Sequence, residues 1–401
     1  MKWIFVLGLV VLSVLSLNDD NWVRANAATS FTFAAAGDFG QNANTNASLI
    51  RLAASGASLF LALGDFSYRN GSSENHWCGI VRSHVGQNYP FELLAGNHED
   101  GEEIRPPDGY IGNYTICMPN QIGPIVGDYG REYYFDYPAV NPLARFILIS
   151  PGLNFSEPNG KSDFYNYDNG SSHYVWTAST IDGARSGSIP WVIVGMHKVC
   201  LSAGMFECHI GAYLSIRPDI IQLLIEKHVD LVLQGHDHNY QRSKQLNCVT
   251  AEQFQNSCVV NSGSDGFYNR GAGTVFVVDG TFGASQDGFD VHLSEPDAEY
   301  FAKFMAPNVN GVEYGFVKYT VSTDGIRAQT NFDGSFQDSF QIGNSGILRT
   351  VQQFFYDNYM LTGAIVLVVM VGTLTIFLFT RRKRHNGKVP KQAGDLPSSQ
   401  P

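Results

Sequence analysis

Seven side chains with metal-binding chemistry stand in five short clusters between residues 38 and 238: Asp38, Asp65, Tyr68, Asn97, His197, His236 and His238. They are oxygen and imidazole donors. Any one cluster means little, because Gly-Asp is common at turns and Gly-His-x-His can be two surface histidines. Taken together, seven donors exceed what one tetrahedral zinc ion takes, and they suit two ions that share a bridging carboxylate. Asp65 is the expected bridge, since its two oxygens can reach ions about 3.5 to 4 Å apart. His236 and His238 are one residue apart on a loop and can diverge toward different ions. A deprotonated Tyr68 phenol is a hard ligand that needs a strong Lewis acid, which favours trivalent iron over magnesium.

Donors so far apart in the chain must be carried to one place by regular elements. Each cluster follows a short apolar run: Phe31 to Ala36, Ala57 to Leu63, Phe91 to Ala95, Trp191 to Val194 and Val229 to Leu233. Runs of this length followed by turn residues predict buried strands, with the clusters at their carboxyl ends. Asn46 to Ser55 and Ile216 to His228 have helical spacing, and Pro218 lies near a first helical turn, where its missing N–H costs little. Thr274 to Val278 predicts a further strand. Strand and helix in alternation predict an α/β sandwich, in which ligands gather beyond the carboxyl ends of the strands.

The motif series is Gly-Asp-x-Gly (37 to 40), Gly-Asp-x-x-Tyr (64 to 68), Gly-Asn-His-Glu (96 to 99), Val-x-x-His (194 to 197) and Gly-His-x-His (235 to 238). In order, spacing and the tyrosine it resembles the purple acid phosphatases of the calcineurin-like metallophosphoesterase superfamily, over roughly residues 30 to 340. The resemblance implies a four-layer α/β/β/α sandwich. It also implies Fe(III) on Asp38, Tyr68 and His238, a divalent ion (Zn, Fe or Mn) on Asn97, His197 and His236, and Asp65 between the two. The implied reaction is hydrolysis of a phosphate monoester by metal-bound hydroxide, with His98 contacting the phosphate or protonating the leaving oxygen. Glu99 stands where aspartate is usual, a change expected to affect how His98 is oriented. The first motif follows the leader closely, which leads us to expect the small type without an amino-terminal fibronectin-like domain. Two other readings use the same scaffold: a Zn or Mn phosphodiesterase or nucleotide hydrolase, and a non-catalytic surface binding protein. Loss of donors would favour the last, and all seven are present.

The chain has 401 residues, of which 44% are hydrophobic and 16% charged. Such a composition buries a large core and excludes disorder and coiled coil. Residues 1–27 read as a signal peptide, 28–345 as one metallophosphoesterase domain and 346–360 as a juxtamembrane linker. Leu361 to Thr380 lack charge over a length that spans about 30 Å of hydrocarbon, and Arg381, Arg382, Lys383 and Arg384 follow. A single-pass type I protein is expected, its ectodomain outside the cell or in an acidic lumen and residues 381–401 in the cytosol. Residues 28–380 hold 18 basic and 34 acidic side chains, a balance of −16 that disfavours nucleic acid as a partner. Six cysteines suggest disulfides, with nearest neighbours paired: Cys78 to Cys117, Cys200 to Cys208 and Cys248 to Cys258. Sequons at Asn46, Asn70, Asn113, Asn154 and Asn169 make N-glycans an expectation.

Overall fold

A computed structural model describes residues 30–68, 73–101, 109–156, 160–206, 218–250 and 253–344. The leader, the linker, the membrane segment and the tail lie outside these residues, as do Asn70, Cys208 and His209. Among the described residues no helix is long and apolar enough to cross a membrane.

Two sheets face each other. The first has seven strands in the order Phe267–Asn269, Ser339–Gly343, Gly325–Phe332, Gly315–Val321, Phe31–Ala36, Leu59–Leu63 and Phe91–Leu94. Its last three strands run parallel. The second has eight, in the order Phe301–Met305, Tyr240–Ser243, Val275–Asp279, Leu231–Gln234, Trp191–Met196, Ala144–Ile149, Glu132–Tyr137 and Val126–Asp128. Its centre, from Val275–Asp279 to Ala144–Ile149, is parallel.

The alternation of side chains along a strand separates the layers. Phe33, Leu59, Leu61 and Leu63 point between the sheets, where they join Phe146, Ile193, Leu233 and Val277. Their neighbours Ala34, Ala36, Phe60 and Ala62 point the other way, in a cluster that includes Leu49 and Leu52 of helix Ala43–Ala54 and Trp77 and Val81 of helix Glu74–Val85. In the second sheet Val192, Val194 and Val232 belong to the same helix-side cluster, with Ile181 of helix Ser172–Ser186 and Ile220 and Leu224 of helix Pro218–Glu226. The order is therefore helix, sheet, sheet, helix. Because both faces of each parallel strand are covered, these strands read as unbroken apolar runs rather than alternating ones.

Element ends differ slightly from the sequence reading, for local reasons. The first helix begins at Ala43, earlier than its periodicity suggests, because the Asn42 side chain accepts from the N–H groups of Asn44 and Thr45. Helix Pro218–Glu226 is followed by His228 at φ +50°, and the next strand starts at Leu231 rather than Val229. Two expected disulfides are present, Cys78 to Cys117 and Cys248 to Cys258. Cys200 is disulfide-bonded as well.

Candidate metal centre

The five strands that precede the motifs occupy the parallel parts of the two sheets, so their carboxyl ends lie on one edge of the sandwich. The two sheets meet there through a backbone contact, Gly37 N–H donating to Asp279 O, while Asp38 N–H donates to Gly64 O within the first sheet. The turns that close this edge are strained. Asp38, Asp65, Tyr68 and His236 all have positive φ, at 63°, 56°, 42° and 69°. Such conformations cost on the order of 1 kcal/mol or more per non-glycine residue and persist only where the surroundings enforce them. Two glycines permit the close approach. A Cβ at Gly64 would lie 2.5 Å from His197 Nδ1, and one at Gly96 would overlap the Asp65 carboxylate.

The seven expected donors come together. Tyr68 Oη donates to Asp38 Oδ1 at 2.8 Å and lies 2.7 Å from His238 Nε2, which is 3.1 Å from Asp38 Oδ1. On the other side His197 Nε2 lies 3.2 Å from Asn97 Oδ1 and 3.1 Å from His236 Nδ1. Asp65 touches both groups, with Oδ2 3.1 Å from Tyr68 Oη and Oδ1 3.2 Å from His197 Nε2. Ligand atoms of Asp65, His197 and His236 all fall within 4.8 Å of one another.

Two imidazoles have their tautomers set by the backbone. His197 Nδ1 lies 2.7 Å from Leu63 O, and His238 Nδ1 lies 2.6 Å from Ser285 O. A carbonyl accepts only, so each Nδ1 carries a proton and each Nε2 is the nitrogen that faces the carboxylates. Lone pairs converging from oxygen and nitrogen repel unless a cation or proton sits among them. The donor set thus fits metal ions, and this arrangement of a remote nitrogen bonded to a carbonyl is the usual support of a histidine ligand.

The local fields agree. Burial by itself would raise the Asp65 carboxyl pKa, but His197 and then His98 outweigh it and hold the group well below the usual carboxylate range. Burial would lower His197, yet Asp65 raises it to about 9. Burial, then Asp38 and Asp65, keep the Tyr68 phenol far above its ordinary value, while burial and His197 depress His236. The site therefore favours positive charge at its centre, and a phenolate at Tyr68 would require a cation to offset both carboxylates.

His98 sits at the rim. Its backbone N–H donates to Asp65 Oδ1 at 3.1 Å, its Nε2 lies 3.6 Å from Asp65 Oδ2, and its ring is 4.4 Å from that of Tyr68. Glu99, expected to bear on how His98 is oriented, binds backbone on both sides of the cluster. Its carboxylate turns inward, where Oε2 accepts from Asp65 N–H at 2.8 Å and Gly96 N–H at 2.9 Å, and Oε1 accepts from Phe66 N–H at 2.8 Å. Burial, followed by the Asp65 charge, pushes its pKa up to about 8 against the pull of these bonds. Glu99 thus ties the loop bearing Asp65 and Tyr68 to the loop bearing Asn97. Aspartate would be one methylene shorter.

Several contributors had no sequence signal. Asp237, between the two motif histidines, is fully buried and accepts from Ser202 Oγ and from the N–H groups of Met205 and Phe206. Phe206 and Phe289 stack on His236 and His238. The carbonyls of Leu63 and Ser285 are invisible to side-chain motifs.

Residues 31–240 match the profile of the calcineurin-like phosphoesterases. An uncharacterised protein of Mycobacterium tuberculosis is 29% identical over 197 residues, covering 49% of this chain and 36% of that one. The phosphoenolpyruvate phosphatase of Allium cepa is 25% identical over 279 residues, 68% of this chain and 53% of the relative. Among solved structures, a purple acid phosphatase from seeds of yellow lupin, Lupinus luteus, superposes with a TM-score of 0.57 at 19% identity over 79% of this chain and 54% of that one, a likeness of fold. The chain spans about half the length of these relatives or less. With more than half of its residues inside the family profile, this chain belongs to the calcineurin-like phosphoesterases.

Proposed function

We propose that the chain is a metal-dependent acid phosphatase that hydrolyses phosphate monoesters at a binuclear Fe(III)–M(II) centre, M being Zn, Fe or Mn. The observation that carries this reading is the position of Asp65, whose two oxygens reach separate donor groups. In it Asp38, Tyr68 and His238 hold the trivalent ion, Asn97, His197 and His236 the divalent one, and Asp65 both. The assignment of charge follows from the donors: a carboxylate and a phenol on one side, neutral amide and imidazole on the other. When bound, two such cations supply Lewis acidity toward the phosphate and acidify a water as nucleophile.

The chain's own groups account for the rest. Leu63 O and Ser285 O keep the Nε2 lone pairs of His197 and His238 directed inward. Glu99 fixes the spacing between the Asp65 and Asn97 loops. His98, partly exposed at the rim, is placed to contact the phosphate or to deliver a proton to the departing alkoxide. With a trivalent ion on Asp38, Tyr68 and His238, an acidic optimum would be expected. The two described disulfides suit an exported ectodomain. This agrees with the type I topology proposed for residues outside the described set.

Metal quantification on the purified protein, a visible spectrum and a pH profile with an aryl phosphate and its diester test the reading. It requires one iron and one further ion per chain, a tyrosinate-to-iron absorption band and monoester preference in acid. Zinc or manganese alone, no visible band and diester preference would favour a phosphodiesterase instead.

A further inference from the structure

Each histidine of the last motif is covered by a phenylalanine. Phe289 lies flat on His238, with ring centroids 3.8 Å apart and planes inclined by 12°. Phe206 covers His236 at 4.0 Å and 27°, and the two phenylalanines stand 6.2 Å from each other at 56°. Both rings are only half-buried, and Met205 beside them is 47% exposed. Neither ring belongs to either hydrophobic core, so packing of the sandwich does not account for them.

Both are held by the motif loop itself. Asp237 accepts from the N–H groups of Met205 and Phe206 at 3.1 and 3.3 Å, and Asn239 Nδ2 donates to Phe289 O at 3.1 Å. Residues 237 and 239 alternate with the histidines 236 and 238, so one short segment sets the ligands with one pair of side chains and the apolar wall with the other. A second pair of rings at the donor cluster is His98 against Tyr68, 4.4 Å apart. A phosphate over the donors would therefore meet a proton donor at His98 and apolar rings at Phe206 and Phe289. Asp287, exposed, and Asp290, half-buried, flank Phe289, and the Lys198 ammonium is engaged by Gly152 O at 2.8 Å. Carboxylates beside Phe289 disfavour an anionic group against that ring.

We propose that Phe206 and Phe289 form the subsite for the organic group of the ester, and that this group is an uncharged aromatic. The inference rests on the phosphoester reading above and names the substrate class for the same site. Aromatic contacts of this kind contribute enough for about a three- to tenfold discrimination.

Titration calorimetry of the full chain with benzylphosphonate and ethylphosphonate reads the contact without turnover. We expect the aromatic ligand to bind about three- to tenfold more tightly, and Phe206→Ala and Phe289→Ala to shrink that ratio toward one with metal content retained. Phe206→Leu and Phe289→Leu keep bulk but not the ring, and should shrink it part of the way. A wild-type ratio near one, or variants that weaken both ligands in parallel, would overturn the proposal, the second result leaving the rings as braces for the imidazoles. Hydrolysis of benzyl and ethyl phosphate is measured alongside. Absent turnover with the ratio intact would sink the phosphatase reading and leave the aromatic subsite standing.

Discussion

The two sides of the donor cluster differ in chemistry and in how they are held. Asp38, Tyr68 and His238 combine a carboxylate, a phenol and an imidazole, and two of the three residues sit at positive φ. Asn97, His197 and His236 bring an amide and two imidazoles, and of these only His236 is strained. His197 and His238 each have a backbone carbonyl on the remote nitrogen, and His236 and His238 each have a phenylalanine on one face. The difference teaches that a single scaffold edge can gather two donor groups around one carboxylate, set apart by donor chemistry and backbone strain while sharing the same kinds of brace.

Removing the shared group should break the comparison most severely. Asp65→Asn is expected to lower kcat/KM on the order of a thousandfold and to reduce bound metal on both sides; normal turnover with full metal content would refute the bridge. Tyr68→Phe should act on one side only. It is expected to abolish the visible band and cost roughly a hundredfold in rate while far-UV dichroism stays native, and an unchanged spectrum would remove Tyr68 from the iron.

The tie between the sides is tested by Glu99→Gln. A carboxamide has one acceptor oxygen for three N–H groups, and a buried unpaired N–H costs about 1–3 kcal/mol, so Tm should fall by several degrees and metal affinity with it. An unaltered Tm would mean that the loops are held by something else.

The smallest effect separates the site from the scaffold behind it. Glu92, on the strand that leads to Asn97, is buried, and burial raises its pKa from 4.5 to about 7. The folded chain then binds more protons than the unfolded one between these values, so stability falls as pH rises through that window. Glu92→Gln should raise Tm by a few degrees at pH 8 and change little at pH 4. Equal shifts at both values would place the effect elsewhere.

Much of this was legible beforehand because strand periodicity and motif chemistry are local. Phe31–Ala36 begins and ends where its apolar run does, and the two nearest-neighbour disulfides within the described residues formed as expected. The ties Glu99 makes were not legible for a physical reason: two of its partners are backbone N–H groups of a loop more than thirty residues away, which carry no side-chain signature. Phe206 and Phe289 were missed because an isolated aromatic in a loop looks the same whether it faces solvent, core or an imidazole.

By itself the sequence determined which atoms were available as ligands, their order, and the strands that end in them, since apolar runs and turn residues act over a few positions. Only the tertiary structure decided that Asp65 would stand between two donor groups, that four non-glycine residues of the site would accept left-handed backbone, and that phenylalanines would stack on His236 and His238. Those outcomes depend on the register between strands, such as Gln234 beside Met196 and Leu63 beside Leu94. Register is set by burial summed over the whole sandwich, and no short stretch of chain contains it.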